Sequence, residues 1–149
     1  MGTDARADDE LIAALRAHGH RITHPRLVVY RHLRTHQGHF AAERVHRDLV
    51  AEHPSLSPAT VYATLDLLAD LGLVRRMSTL RGVALYDTRT DDHQHLLCHE
   101  CGAITDLDAR VATGGARAAA AERGFQVEHA TLQLTGLCAA CAARLAPGA

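Results

Sequence analysis

The chain has 149 residues, 47% of them hydrophobic, a formal net charge of −1 and no tryptophan. That length can bury a core in one domain or two small ones, built from Leu, Val and Ala because only five aromatics are present. No apolar run approaches the roughly 18 residues of a membrane span, and the start Met1-Gly-Thr-Asp-Ala-Arg6 lacks the apolar stretch of a secretory signal, so a soluble cytoplasmic protein with no membrane partner is expected. Net charge gives no global case for a nucleic-acid binder. Its distribution does: residues 1–86 hold 11 Arg against 9 acids, and residues 87–149 hold 5 Arg against 8 acids.

In chain order, Asp8 or Asp9 is expected to cap a helix that carries Leu11, Ile12 and Leu15 on one face and stops at Gly19. Thr23 and Pro25 open a second, with Leu27, Val28, Tyr30 and Leu33 inward and Gln37-Gly38 at its end. Val45, Leu49 and Val50 mark a third, closed by Pro54. Ser57 and Pro58 then read as N-cap and first helical position of a fourth, with Val61, Leu65, Leu68 and Leu71 at helical spacing up to Gly72. Residues 73–79 and 83–86 form a hairpin around a turn at 80–82. A helix-turn-helix followed directly by a hairpin is a winged helix, so residues 1–86 are expected to be a DNA-binding domain. Its helix 58–70 would lie in the major groove with Ala59, Thr60 and Tyr62 toward the bases. Arg21 and Arg26, with Arg75, Arg76 or Arg81 on the wing, are the candidate phosphate contacts. Residues 87–92, polar and without periodicity, read as a hinge.

The remainder, residues 93–149, reads as a small α/β unit: strands at 95–98 and 103–107, an Ala-rich helix at 116–123, and a third strand from Phe125 to Leu134 ending at Gly136. So short a piece calls for a metal and for dimerisation. All four cysteines fall in two Cys-x-x-Cys pairs, Cys98/Cys101 and Cys138/Cys141, the donor set of a closed tetrahedral zinc site. Neither pair is followed by His, which excludes c-type haem, and neither is expected to open a helix within a βαβ unit, which argues against a redox pair. His93 and His95, two apart, face one side of a strand, and Asp106 on the next strand can come beside them. Nitrogen and oxygen donors of this kind suit a second, harder metal ion.

Leu56-Ser-Pro-Ala-Thr-Val-Tyr-Ala-Thr-Leu65, Asp91-Asp-His-Gln-His-Leu-Leu-Cys-His-Glu-Cys-Gly102 and Gly136-Leu-Cys-Ala-Ala-Cys141, in that order, resemble the ferric uptake regulator (Fur) family of metal-dependent transcriptional repressors, over about residues 10–142. The resemblance implies an α+β homodimer binding a double-stranded DNA operator, with structural Zn²⁺ on the four cysteines. It also implies a regulatory Fe²⁺ or Mn²⁺ held by His39, Asp87, His93, His95 and Asp106, clasping the two domains together. Within the family the zinc-sensing branch commonly has Cys where this chain has Asp87. The iron-sensing branch tends to Glu where it has Asp106, and the peroxide-sensing (PerR-like) branch tends to Asp there. The implied chemistry is oxidation of a liganding histidine, His39 or His93, by peroxide at the iron, rather than catalytic turnover. A further family metal site falls here on Asp92, Gln94, Thr113 and Ala130, with His129 displaced by one, and is read as absent. Family members often carry Arg or Asn where this chain has Ala63, which removes one polar DNA contact. The alternatives are an iron- or zinc-uptake repressor on the same architecture, a small non-haem metalloenzyme, and a zinc-stapled interaction module.

Overall fold

The computed structural model describes residues 2–79, 82–128 and 130–146. The chain divides into two compact units, Met1–Thr90 and Asp91–Ala149.

The first unit opens with α1 (Gly2–Ala17), α2 (His24–His36), β1 (His39–Phe40), α3 (Ala42–Leu49) and α4 (Pro58–Asp70), followed by β2 (Arg75–Ser78) and β3 (Ala84–Asp87). Helix α1 starts several residues before the expected cap. Asp8 and Asp9 lie inside it, and Asp8 is committed elsewhere: it accepts from the Arg31 guanidinium of α2, which holds its carboxyl below the usual range. Glu10 likewise accepts from the Tyr30 hydroxyl at 2.6 Å. The helix buries Ala7, Leu11 and Leu15, four apart, against α2. Helix α4 is capped as expected, Ser57 Oγ accepting from Thr60 N at 3.1 Å, and Val61, Leu65 and Leu68 are fully buried.

The strand order is β1-β3-β2, all antiparallel, with His39 and Arg75 both in register with Asp87 on the central strand. Strand β1 was not expected. It exists because Gln37 and Gly38, both at positive φ (25° and 131°), turn the chain out of α2 and back along β3. Strands β2 and β3 form the wing, and Thr79 N donates to Val83 O at 2.9 Å at the start of its turn. Leu80 and Arg81 lie outside the described residues.

The second unit is β4 (Gln94–Cys98), β5 (Ile104–Leu107), α5 (Gly114–Ala121), β6 (Gln133–Gly136) and α6 (Ala139–Leu145). Its sheet runs β5-β4-β6, with β5 antiparallel and β6 parallel to the central β4. The expected strand from Phe125 is shortened to Gln133–Gly136. Phe125 N instead donates to Ala120 O at the end of α5, and Val127 O accepts from Arg117 at 2.9 Å, so this backbone serves the helix rather than a ladder. His129 lies outside the described residues. Helix α6 was also not expected, and Cys138 is its N-cap, so the second cysteine pair does open a helix, though one that follows β6 rather than crossing between parallel strands.

The buried apolar cluster is drawn from residues between Ala7 and Tyr86. In the second unit Leu97, Cys98 and Cys141 are the buried apolar residues among those described, and α5 buries none.

Two substitutions separate cap from core in the first unit. Ser57→Ala should lower stability by about 1 kcal/mol, and Leu65→Ala by about 2–5 kcal/mol, read as urea midpoints by far-ultraviolet circular dichroism.

Candidate metal centres and nucleic-acid interface

Cys98 ends β4, Cys101 follows in the turn to β5, Cys138 caps α6 and Cys141 lies one turn into it. The four sulfurs all lie within 4.8 Å of one another, and none is in a disulfide. Cys101 Sγ and Cys138 Sγ are 3.8 Å apart. A tetrahedron with Zn–S near 2.3 Å has an edge of about 3.8 Å, the separation of the Cys101 and Cys138 sulfurs, so the donor set fits Zn²⁺. Backbone N–H groups of Cys101 and Cys138 aimed at its sulfur lower the Cys98 thiol to about 6, whereas burial raises Cys141 to about 12. A thiolate is therefore ready at Cys98, and zinc must expel the Cys141 proton. Arg144, not singled out in the sequence, lies 3.6 Å from Cys141 Sγ and 3.2 Å from Glu100 Oε1, a cation beside a cluster that becomes anionic on deprotonation.

The nitrogen and oxygen donors form two sets, one per unit. In the first, β1–β3 register sets His39 across from Asp87, with His39 Nε2 3.6 Å from Asp87 Oδ2. Asp87 is buried, and its Oδ1 accepts from Arg89 N at 2.9 Å. In the second, His95 is in register with Asp106, and the His93 and His95 rings lie 4.5 Å apart between centroids. His93 Nδ1 is 2.9 Å from Asp91 O. A carbonyl only accepts, so Nδ1 is the donor there, and Nε2 faces Asp106 Oδ1 at 3.7 Å. Both sets offer imidazole and carboxylate donors with no thiol, a donor chemistry that suits Fe²⁺ or Mn²⁺.

On α4, Ala59, Tyr62 and Ala63 are exposed, and Thr60 is half-buried with its hydroxyl 2.8 Å from Ser57 Oγ. The Tyr62 hydroxyl donates to Glu43 of α3, and Arg76 on the wing lies 3.4 Å from Asp66 of α4. Asp66 also accepts from the Tyr86 hydroxyl at 2.7 Å. Arg21 is exposed, and the Arg26 guanidinium donates to its carbonyl. Glu43 and Asp66 were not foreseen, because single acids on helices carry no pattern. Arg81 lies outside the described residues.

The ferric uptake regulator family profile matches residues 17–135. Ferric uptake regulation protein 1 of Mycolicibacterium fortuitum is 40% identical over 117 residues, 78% of this chain and 72% of that protein. The peroxide-responsive repressor PerR of Staphylococcus aureus is 31% identical over 133 residues, 89% of this chain and 90% of that one. Among solved structures, the Vibrio cholerae ferric uptake regulator is similar with a TM-score of 0.66 at 28% identity, over 85% of this chain and 98% of that one.

Cys98→Ser or Cys138→Ser should lose zinc by metal analysis and give monomeric or aggregated protein by size exclusion. In the native protein zinc uptake near pH 7 should release protons, and its affinity should fall as pH drops. A zinc-free Cys98→Ser dimer of full stability would rule out the structural role.

Proposed function

Because this chain belongs to the ferric uptake regulator family, we propose that it is a cytoplasmic homodimeric repressor whose operator binding depends on a regulatory Fe²⁺ or Mn²⁺ and is relieved by peroxide. Members of the family are transcriptional regulators rather than enzymes, and they bind DNA as dimers. For dimerisation, Leu96 and Leu134 are neighbours in register on β4 and β6, and both are exposed, at 37% and 44%. An uncovered apolar stripe on a sheet face suits a second copy.

The observation that carries the metal reading is the chemistry of the two donor sets. Each unit pairs histidine with a carboxylate across neighbouring strands, and neither uses sulfur. By the family resemblance, His39, Asp87, His93, His95 and Asp106 would hold the regulatory ion. When bound, ferrous iron supplies one-electron reduction of hydrogen peroxide beside the imidazoles. The protein's part is to fix His93 Nε2 as a ligand through the Asp91 carbonyl and to present carboxylates short enough to leave access. Asp87, rather than Cys, speaks against zinc sensing, and Asp106, rather than Glu, favours the peroxide branch.

On the DNA side, the recognition helix presents Ala59, Thr60 and Tyr62, with Arg21, Arg26 and Arg76 for phosphates. An iron-uptake repressor is the second reading, favoured by the 40% identity to the M. fortuitum protein.

His39→Ala should keep the fold and the cysteine-bound zinc but lose metal-dependent operator binding in gel-shift titrations. An unchanged metal response would overturn His39 as a ligand. Peroxide should abolish operator binding by the iron-loaded protein and spare the manganese-loaded form. Mass spectrometry should then find one added oxygen on the peptide containing His39 or His93, with the cysteines still reduced. Asp106→Glu should retain repression and blunt that oxidation. If the iron-loaded protein keeps its affinity under peroxide, or loses it only through cysteine oxidation, the iron-uptake reading replaces this one.

A further inference from the structure

We propose that the winged-helix unit carries a further site for a transition-metal dication, formed by His32, His36 and Asp48 and separate from both donor sets described above. His32 and His36 are four apart on α2 and therefore lie one above the other on one face, with ring centroids 4.4 Å apart. Asp48, in the last turn of α3, places its Oδ2 3.5 Å from His32 Nε2.

Three features mark this as a ligand set rather than a packed pair of rings. The His32 side chain is only 7% exposed, and its Nε2 makes no hydrogen bond among the described residues although it points at a carboxylate. A buried ring nitrogen held 3.5 Å from a carboxylate, at the limit of a hydrogen bond, leaves room for an ion to bridge the two. His36 Nδ1 is 2.9 Å from the His32 carbonyl oxygen, so Nδ1 carries the proton and Nε2 presents a lone pair, the tautomer that a metal-ligating imidazole requires. Burial, with His36 next in effect, lowers the pKa of His32 and favours the neutral, ligating ring near pH 7.

The charged neighbours define the competition. Asp48 attracts a cation. Arg44, whose Nε is 3.8 Å from the same Asp48 oxygen and whose guanidinium sits over the Phe40 ring at 5.5 Å, is the cation now in place. Phe40 also closes the apolar side of His32, edge to face at 6.0 Å. An entering ion displaces Arg44 while the exposed His36 ring and the partly exposed Asp48 carboxylate turn toward Nε2. Two imidazoles and one carboxylate with a fourth position for water are an open zinc-type set, and imidazole nitrogen selects against Mg²⁺ and Ca²⁺. The ion would staple α2 to α3, the helix whose Glu43 holds the Tyr62 hydroxyl.

The test uses full-length protein with the cysteine site zinc-loaded and with His93→Ala and His95→Ala in place, titrated with Zn²⁺ against a chromophoric chelator. A further equivalent is expected. His36→Ala, at an exposed position that leaves the core untouched, should weaken it by at least roughly tenfold, and Arg44→Gln should tighten it. Zn²⁺ should shift the Nε2 resonances of His32 and His36 in long-range ¹H–¹⁵N spectra. The proposal is overturned if no further equivalent binds, or if that equivalent survives both His36→Ala and Asp48→Asn at unchanged affinity.

Discussion

The second unit depends on four sulfurs meeting at one point. Its described residues bury little carbon: α5 buries none of its residues and every residue of β6 is exposed. A hydrophobic core of that size cannot offset the ordering of some sixty residues. Zinc binding, on the order of 10–16 kcal/mol in comparable peptides, can. Cys98 and Cys138 tie the end of β4 to the start of α6, so the ion pins the parallel β4–β6 pair at its C-terminal end. His95 lies three residues before Cys98 on the same strand, so the strand that carries this histidine ends on the cysteine cluster.

What was legible in the sequence was whatever repeats locally or sits in a spaced motif. The capped α4 could be read because Ser57-Pro58 and the Val61, Leu65, Leu68 stripe are local signals. The cysteine pairs and His93-Gln-His95 could be read because ligand spacing is short-range. Strand β1 could not: two residues have no periodicity, and His39 reaches Asp87 only through a ladder spanning 48 positions. The strand expected from Phe125 failed for a related reason. Its alternation is genuine, but the Arg117 guanidinium and the C-terminal turn of α5 claim the backbone groups that a ladder needs. Helix α6 could not be read because its short Ala-rich stretch, Ala139–Leu145, carries no apolar periodicity, although Cys138 sits at its N-cap.

On the face proposed to meet DNA, the candidate contact residues are held in pairs. Tyr62 is tied to Glu43, and Arg76 to Asp66, which Tyr86 also engages. An exposed bridge of this kind contributes about 0–1 kcal/mol, so a phosphate oxygen can replace a carboxylate at little cost. This pairing of donors with acids agrees with a winged-helix half only two charges positive by formal count (11 Arg against 9 acids in residues 1–86).

The distance along the chain between Cys98 and Cys138 also sets an order of events during synthesis. The helices of the first unit close on short-range contacts and can pack as soon as residue 87 clears the ribosome. The metal cluster cannot assemble until Cys141 has emerged, because two of its sulfurs come from the last helix. A nascent chain therefore has a finished recognition helix while its second half is still an unmetallated string of thiols and histidines. The two halves thus depend on different things: the first on its own apolar core, the second on four sulfurs that are complete only when α6 is made.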